Sequence, residues 1–342
     1  MKYRRIVATK KGGPDVLKLV EETLPEPQAG EVRIKVHATG VAFADIFMRE
    51  GYYPGVSHPV TPGYDIVGEV DKPGAGVTSV KPGESVIALT VTGGYAEFLC
   101  VPEARLVSFQ QSLDPGEAVS IVLNYLTAWQ MLHRMAHVEE GESILVHGAA
   151  GGVGTALLQL GKLFGLEMYG TASSTKHAVV SDLGATAIDY RASDFVKVVK
   201  GHTRYGVDAV FDPIGGAHLG RSFKSLKSGG RMISYGFSAA MSKGRPNLPK
   251  IVSEFLRMPR FSPMKLMNGN KTVAGYMIQS LAEKRRDWYQ KDLNSLVDLL
   301  TEGKIKPIVA ERIPLEEASR AHQLLNESAV VGKIVLLCNQ GE

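Results

Sequence analysis

The residues best suited to chemistry lie in one stretch, Ser143-Ile144-Leu145-Val146-His147-Gly148-Ala149-Ala150-Gly151-Gly152-Val153-Gly154. Its first four residues form a short apolar run after the polar turn Glu139-Glu140-Gly141-Glu142, as a buried parallel strand would. Beyond the glycines, Val153, Ala156, Leu157, Leu160 and Phe164 recur at helical spacing up to Gly165. Strand, glycine-rich turn and helix in succession make the first half of a dinucleotide-binding βαβ unit. Gly151 lets the backbone approach a pyrophosphate, and Gly154 lets the helix pack close to the sheet. The N–H groups opening the helix, with their partial positive charge, suit the phosphates. Read strictly, the pattern is Ala149-x-Gly151-x-x-Gly154, with Ala where the first Gly usually stands. The competing reading is a plain tight turn between strand and helix.

The choice of dinucleotide follows from the end of the second strand, predicted over Glu167 to Ala172. NAD-selecting proteins carry an acidic residue there for the ribose hydroxyls. This sequence instead reads Gly170-Thr171-Ala172-Ser173-Ser174-Thr175-Lys176-His177 and has no carboxylate. A 2′-phosphate would meet small hydroxyls and an ammonium, which favours NADP(H). A cation in the first turn of a helix opposes the helix dipole, so Lys176 there suits an anionic ligand. The bland reading of Lys176 is a surface lysine.

These residues need a scaffold. A chain of 342 residues is longer than one ordinary domain, so two are expected. A net charge of +4, with no aromatic residues interleaved along a basic stripe, excludes nucleic acid as the partner. Two cysteines, Cys100 and Cys338, exclude a disulfide framework or a four-cysteine zinc lobe and fit a reducing cytoplasm. No apolar run has the length of a membrane span.

Residues 1–122 read as short strands, such as Glu31 to His37, Asp65 to Val70, Ser85 to Leu89 and Ala96 to Val101. Gly/Pro turns separate them, which suggests a small barrel or open sandwich. A short helix is predicted over Phe43 to Arg49. From Leu123 helices alternate with strands (Glu167 to Ala172, Thr186 to Asp189, Val207 to Phe211, Arg231 to Tyr235), the signature of a doubly wound parallel sheet. Residues 239–271 stand apart as a basic, methionine-containing insertion, with Lys243, Arg245, Lys250, Arg257, Arg260, Lys265 and Lys271 against only Glu254. The strand predicted over 271–278 could pair with its own copy across a two-fold axis to make a homodimer. A helix over Leu315 to Asn326 and a strand over Lys333 to Leu337 return the chain to the first domain. The expected division is therefore 1–122 with 305–342 against 123–304.

With these motifs in place, the chain resembles the medium-chain dehydrogenase/reductase superfamily. It is most similar to the zinc-free quinone oxidoreductase branch, and within that to the vesicle amine transport protein-like group. The matching residues are Gly51-Tyr52-Tyr53-Pro54, Thr61-Pro62-Gly63, Gly93 to Phe98, Leu126-Thr127-Ala128, Val146 to Gly154, Gly170 to Ser173, Ile188-Asp189-Tyr190, Asp212 to Gly216, and Gly332-Lys333. The resemblance implies an α/β protein with a GroES-like β-rich catalytic domain, a Rossmann domain, and a cleft where they meet. It implies NADPH contacts from Thr127, Gly152, Val153, Ser173, Lys176 and Tyr190, with Pro213, Ile214, Tyr235, Gly236 and Phe237 bordering the ribose and nicotinamide.

Departures from the family pattern are equally informative. Zinc-dependent relatives have Cys before the Asp matching Asp45 and a His-Glu pair in place of Tyr64-Asp65, so no catalytic metal is expected here. Quinone-branch relatives often have Asn in place of Ala42 and Tyr in place of Phe47. Tyr53 remains as the nearest phenol, with Tyr64 in the former ligand position, and these two are the candidate catalytic residues. Asp45 reads as a turn or cap carboxylate, and His133, His137 and His147 as structural or surface groups. Without a Lewis acid, the feasible chemistry is hydride delivery to an electron-poor small molecule, a quinone or enone. The rival readings are an enoyl-thioester reductase and a nucleotide-binding regulatory protein with little turnover.

Overall fold

The structure, a computed structural model, describes residues 1–109, 113–242 and 245–338. It divides into two compact units, one built mainly from Met1–Leu126 and the segment from Gln279 onward, the other mainly from Thr127–Ser242 and Pro246–Ile278.

The first unit opens with an antiparallel hairpin of β1 (Lys2–Ala8) and β2 (Leu17–Thr23). β3 (Glu31–Val41) leads into α1 (Phe43–Glu50), followed by β4 (Asp65–Pro73), β5 (Ser85–Leu89), β6 (Phe98–Pro102) and β7 (Leu106–Ser108). Alternate residues of these strands, among them Ile34, Val36, Ile66, Val86, Ala88 and Val101, share one core. The start of α1 is capped by Asp45, whose Oδ2 accepts the Ala42 N–H at 2.8 Å. Gly51, at φ 78°, ends the helix, and the Tyr52 N–H closes on the Phe47 carbonyl. That stop sets the course of the chain through Tyr53.

α2 (Pro115–Ser120) runs through the wide π-type turns Ile121–Tyr125 and Met131–Ala136 on either side of α3 (Leu126–Gln130). Residues 115–136 thus form one continuous helical run.

In the second unit β8 (Ser143–His147), α4 (Gly152–Leu163), β9 (Glu167–Ala172), α5 (His177–Asp182), β10 (Thr186–Asp189), α6 (Phe195–Thr203), β11 (Val207–Asp212), α7 (Leu219–Lys224) and β12 (Leu226–Ser234) alternate as predicted. In 239–271 lie a small ladder of β13 (Met241–Ser242) and β14 (Arg245–Pro246), then α8 (Leu248–Leu256) and α9 (Pro263–Gly269). Lys243 is outside the described residues. β15 (Thr272–Gly275) completes a parallel sheet in the order β10-β9-β8-β11-β12-β15. Counted within this unit the order is 3-2-1-4-5-6, that of a dinucleotide-binding doubly wound sheet. The edge strand is shorter than the expected 271–278, because Ile278 already opens α10 (Ile278–Lys284).

α11 (Arg286–Thr301) packs on the first unit, contrary to the expected boundary at 304. Its Tyr289 hydroxyl donates to the Arg105 carbonyl at 2.9 Å and accepts from the Leu89 N–H at 3.1 Å. Gln290 Nε2 donates to the Ala104 and Leu106 carbonyls. These are side-chain bonds to backbone edges, which hydrophobic periodicity does not signal. β16 (Val309–Pro314), α12 (Ala318–Asn326) and β17 (Lys333–Leu337) finish the first unit, with β17 antiparallel to β3 and parallel to β16. The sheet order there is β16-β17-β3-β4-β5-β7, with β6 also on β3. No helix among the described residues is long and apolar enough to cross a membrane.

Candidate functional site

The C-terminal edge of the parallel sheet gathers most of the residues singled out above. Cross-strand register puts Thr171 of β9 opposite His147 of β8, Asp189 of β10 opposite Ala172, and Asp212 of β11 opposite Ser234 of β12. The chain segments leaving these strands carry Gly148–Gly154, Ser173–Lys176, Tyr190, Pro213–Gly215 and Tyr235–Phe237. Ligands of open parallel sheets bind in this position, where the strand order reverses, here between β8 and β11.

Gly151 is the N-cap of α4 and offers no side-chain cap, so the first N–H groups of the helix, those of Gly152 and Val153, have no intrahelical partner. A Cβ on Gly151 would meet only the Gly148 carbonyl, at 3.3 Å, a tight contact that a shift of a few tenths of an ångström relieves. Gly154 differs: a Cβ would lie 2.2 Å from that same oxygen and 2.7 Å from Ala149 backbone atoms. Of the two glycines, Gly154 is the one that the closeness of helix to turn requires.

Ser173 and Tyr190 each stand one residue past the paired ends Ala172 and Asp189, so they flank one corner of the edge. Ser173 Oγ is 3.2 Å from Thr175 Oγ1, and the Lys176 N–H donates to the Ser173 carbonyl. Partial burial lowers the affinity of the Lys176 ammonium for its proton. Tyr190 is half exposed, with the Arg191 guanidinium 5.5 Å above its ring. Thr127 is buried in α3.

The Pro213 and Tyr235 segments are interlocked. The Tyr235 N–H donates to the Asp212 carbonyl, Ser238 N–H to Pro213 and Ala239 N–H to Ile214. A Cβ on Gly236 would meet the Pro213 carbonyl at 2.6 Å, and one on Gly215 (φ 72°) would meet the Phe237 ring at 2.7 Å.

Sequence reasoning missed what lies beneath this edge. His147, Asp212 and His218 bring potential ligand atoms within 4.8 Å of one another. Ser222 Oγ lies among them, 2.5 Å from Asp212 Oδ2, 3.1 Å from His147 Nε2 and 3.3 Å from His218 Nδ1. The other oxygen, Asp212 Oδ1, accepts the N–H groups of Ile214 (2.7 Å) and Gly215 (2.9 Å). Oδ2 also accepts from His218 Nδ1 at 2.9 Å. Four donors therefore surround the carboxylate, and the cluster closes as a hydrogen-bond network instead of gaping as a metal site. Burial raises the proton affinity of Asp212, but the hydrogen bond from His218 and its other partners outweigh it and bring the carboxyl down to about 2. His147 is pushed down to about 3 by burial and is neutral. Its Nδ1 meets Thr171 Oγ1 at 3.0 Å.

In the first unit, the candidate catalytic phenols touch each other. Tyr53 and Tyr64 hydroxyls are 2.6 Å apart, and Tyr53 is 3.1 Å from Gln279 Oε1. The arrangement that satisfies all three has Tyr64 donating to Tyr53 and Tyr53 donating to Gln279. Burial raises both phenols, Tyr64 far more. Below them Asp45 is a cap, as expected: Oδ1 accepts the Gly63 N–H at 3.0 Å, and Oδ2 accepts those of Ala42 and the Tyr95 hydroxyl. Burial nevertheless pushes it up to about 6. A buried relay continues from Tyr95 to His322 Nε2 (3.1 Å) and from His322 Nδ1 to Arg49 Nη1 (2.8 Å). Burial brings His322 down to about 3, assisted by Arg49.

The signs of these shifts set an acid response. His147 and His322 are neutral in both folded and unfolded chains above about 6.5. Below that the unfolded chain takes up protons that the folded chain refuses, so stability falls as pH drops towards 3. Asp45 acts oppositely between 6 and 3.8, in the first unit only, since its folded form holds a proton more tightly. The second unit, followed through Trp129, is therefore expected to lose about 1.4 kcal/mol per pH unit between pH 6 and 4. Urea titrations followed by Trp129 fluorescence check this, and a stability unchanged between pH 6 and 4 would contradict the assignment.

Comparison with known proteins agrees with this architecture. The model for the alcohol dehydrogenase GroES-like domain matches residues 28–111, and that for zinc-binding dehydrogenase matches 183–336. A synaptic vesicle membrane protein VAT-1 homolog from Danio rerio is 34% identical over 98% of this chain and 70% of its own length. The chain belongs to the medium-chain dehydrogenase/reductase superfamily. Quinone oxidoreductase of Rattus norvegicus is 31% identical, covering 95% of both chains. The crystal structure of Escherichia coli quinone oxidoreductase complexed with NADPH aligns with TM-score 0.87 at 29% identity, over 98% of this chain and 99% of that one. This superfamily also includes zinc enzymes, and the residues present do not fit zinc. Asp65 Oδ2 is held by Lys333 Nζ at 2.8 Å and Oδ1 by the Gly40 N–H at 2.9 Å. Both oxygens of Asp45 are likewise engaged by donors, and Tyr64 adds no metal-binding side chain of the usual kinds.

Proposed function

We propose that the chain is a zinc-independent, NADPH-dependent oxidoreductase that delivers hydride to quinones or other activated double bonds such as enones. The observation that carries this reading is the sheet edge where the open start of α4 and the Ser173–Lys176 corner, free of carboxylates, face one ligand position. The relatives named quinone oxidoreductase, one of them complexed with NADPH, support it.

The cofactor supplies the hydride; the chain binds, orients and protonates. N–H groups of Gly152 and Val153 hold the diphosphate, with Gly151 clearing its approach. Ser173 and Lys176 take the 2′-phosphate, and Tyr190 flanks the adenine. Thr127, Pro213, Ile214, Tyr235, Gly236 and Phe237 hold the nicotinamide half. Reduction of an enone adds hydride at the β-carbon and a proton at the α-carbon by way of the enolate, and a quinone gains the same pair overall. We assign Tyr53 as the hydrogen-bond and proton donor to that oxyanion, because Tyr64 donates to its oxygen and its own proton, resting on Gln279 Oε1, is free to turn to a bound substrate.

Steady-state oxidation of NADPH against a panel of quinones, enones and enoyl thioesters tests the reading. Turnover is expected with quinones or enones, with NADPH preferred to NADH by about 100-fold, the worth of two charge-assisted hydrogen bonds. Tyr53→Phe should lower kcat for enones by about 100-fold, and Tyr64→Phe by less. Tight binding of NADPH without turnover, turnover of thioesters alone, or stoichiometric zinc in the purified protein would overturn it.

The proposed assembly is a homodimer through the edge strand β15, in the cytoplasm. In the segment leading to that strand, α8 and α9 leave Val252, Phe255, Leu256, Met264 and Met267 at least half exposed, a set of apolar side chains that an interface would cover. Sedimentation equilibrium is expected to give twice the chain mass, and Phe255→Glu with Met267→Glu to give one chain mass. A wild-type monomer would rule the assembly out.

A further inference from the structure

The buried cluster under the sheet edge has a shape that core packing alone does not explain. In their middle rows the strands meeting there are apolar, with Ile144, Leu145, Val146, Val210 and Phe211 all fully buried. At the C-terminal row this changes abruptly to Thr171, His147 and Asp212, with Ser222 of α7 beside them, and all four are buried. A set of well-packed apolar side chains would cost less to bury than a carboxylate and an imidazole. What the polar set provides is direction, since each hydrogen bond fixes one rotamer and one backbone turn.

The bonds form one chain across three strand ends. Thr171 Oγ1 meets His147 Nδ1 at 3.0 Å, His147 Nε2 meets Ser222 Oγ at 3.1 Å, and Ser222 Oγ meets Asp212 Oδ2 at 2.5 Å. Each strand end feeds one loop of the ligand edge: Ser173 after β9, the glycine-rich turn after β8, and Pro213–Gly215 after β11. The chain finishes on a carboxylate whose other oxygen grips two backbone N–H groups of that last loop.

We propose that Ser222 and His218 are positioning residues for the nicotinamide half of the bound cofactor, clamping Asp212 so that it holds the Ile214 and Gly215 amides in a fixed turn. This rests on the NADPH reading above and deepens it. Neither residue touches the cofactor. The Ser222 hydroxyl and His218 Nδ1 are the two donors that hold Asp212 Oδ2; without either, the carboxylate can rotate and the Pro213 turn loses its two anchors. Because Pro213 and Ile214 are bonded to Ser238 and Ala239, the disturbance passes to the Tyr235–Phe237 segment as well. The adenosine corner at Ser173 and Lys176 is held by its own turn and is left intact.

The test compares two ligands on wild type, Ser222→Ala and His218→Ala. NADPH spans the whole edge, while adenosine 2′,5′-bisphosphate occupies the adenosine end only. Calorimetry should show NADPH binding weakened about tenfold in each variant, the worth of one lost hydrogen bond. The bisphosphate should stay within about twofold of wild type, a split that general loosening of the fold would not produce. His218 is partly exposed, so its variant tolerates truncation even if Ser222→Ala does not fold. Unchanged NADPH affinity in the folded variants, or equal weakening of both ligands, overturns the proposal. Wild type that binds neither ligand overturns the NADPH reading and this inference with it, and is recognised because no substitution is involved.

Discussion

Replacing Lys333 with Met is expected to destabilise the first unit by about 3–5 kcal/mol, as removal of one partner of a buried ion pair does. Lys333 is 3% and Asp65 0% exposed, and their 2.8 Å bond lies over Gly40. A Cβ on Gly40 would sit 2.4 Å from the ammonium and 2.5 Å from Asp65 Oδ1, so the strand has made room for the pair. Without the lysine, the carboxylate keeps only the Gly40 N–H and cannot reach water. The double variant Asp65→Asn, Lys333→Met removes the charge as well, and should recover roughly 2 kcal/mol of the loss. Urea unfolding in a Trp129→Phe background isolates the signal of Trp288, which belongs to the first unit. A midpoint for Lys333→Met equal to that of the parent would refute the role given to the pair.

Gly154→Ala is the second large effect, and it falls on the other unit. The new methyl would overlap the Gly148 carbonyl and the Ala149 backbone, none of which can rotate away as a side chain could. Relief requires α4 to lift off the turn, at a cost of about 3 kcal/mol, as for overpacking of a rigid core. Lifting α4 also removes the N–H cradle, so NADPH binding should vanish. Gly151→Ala is the contrasting variant. Its methyl would press only on the Gly148 carbonyl, at 3.3 Å, so stability should fall by no more than about 1 kcal/mol while NADPH affinity falls at least tenfold. Trp129 in a Trp288→Phe background reports both variants. If Gly154→Ala unfolds at the parental midpoint, the close-packing role assigned to this glycine is wrong.

The glycine-rich turn was legible because everything it needs is contiguous: an apolar strand, glycines at fixed spacing, and a helical period after Val153. The neighbouring strands were legible for the same reason, each being a local run between turns. Register then brings Ser173 and Tyr190 together without further information from the chain. What escaped notice was built from distant partners. Ser222 lies 75 residues from His147, and Gln279 lies 226 from Tyr53, with no periodicity to relate them. From sequence His147 reads only as a structural or surface group; it is buried, and its meaning resides in Thr171, Ser222 and Asp212. The boundary after β15 was misplaced because α11 is as amphipathic as any Rossmann helix, and only Tyr289 and Gln290 reveal which sheet it covers. The edge strand itself stops at Gly275, three residues short of the apolar signal that suggested it.

The interrupted first unit has a consequence for biosynthesis. Its sheet lacks β17 until the ribosome has passed Leu337, whereas every strand of the parallel sheet is available once Gly275 has emerged. The inserted half can therefore mature while Asp65, Arg49 and Tyr95 still wait for Lys333 and His322. Through that interval β3 keeps the stretch Ala38–Val41 of one ladder edge open, the kind of edge that can pair with a neighbouring chain.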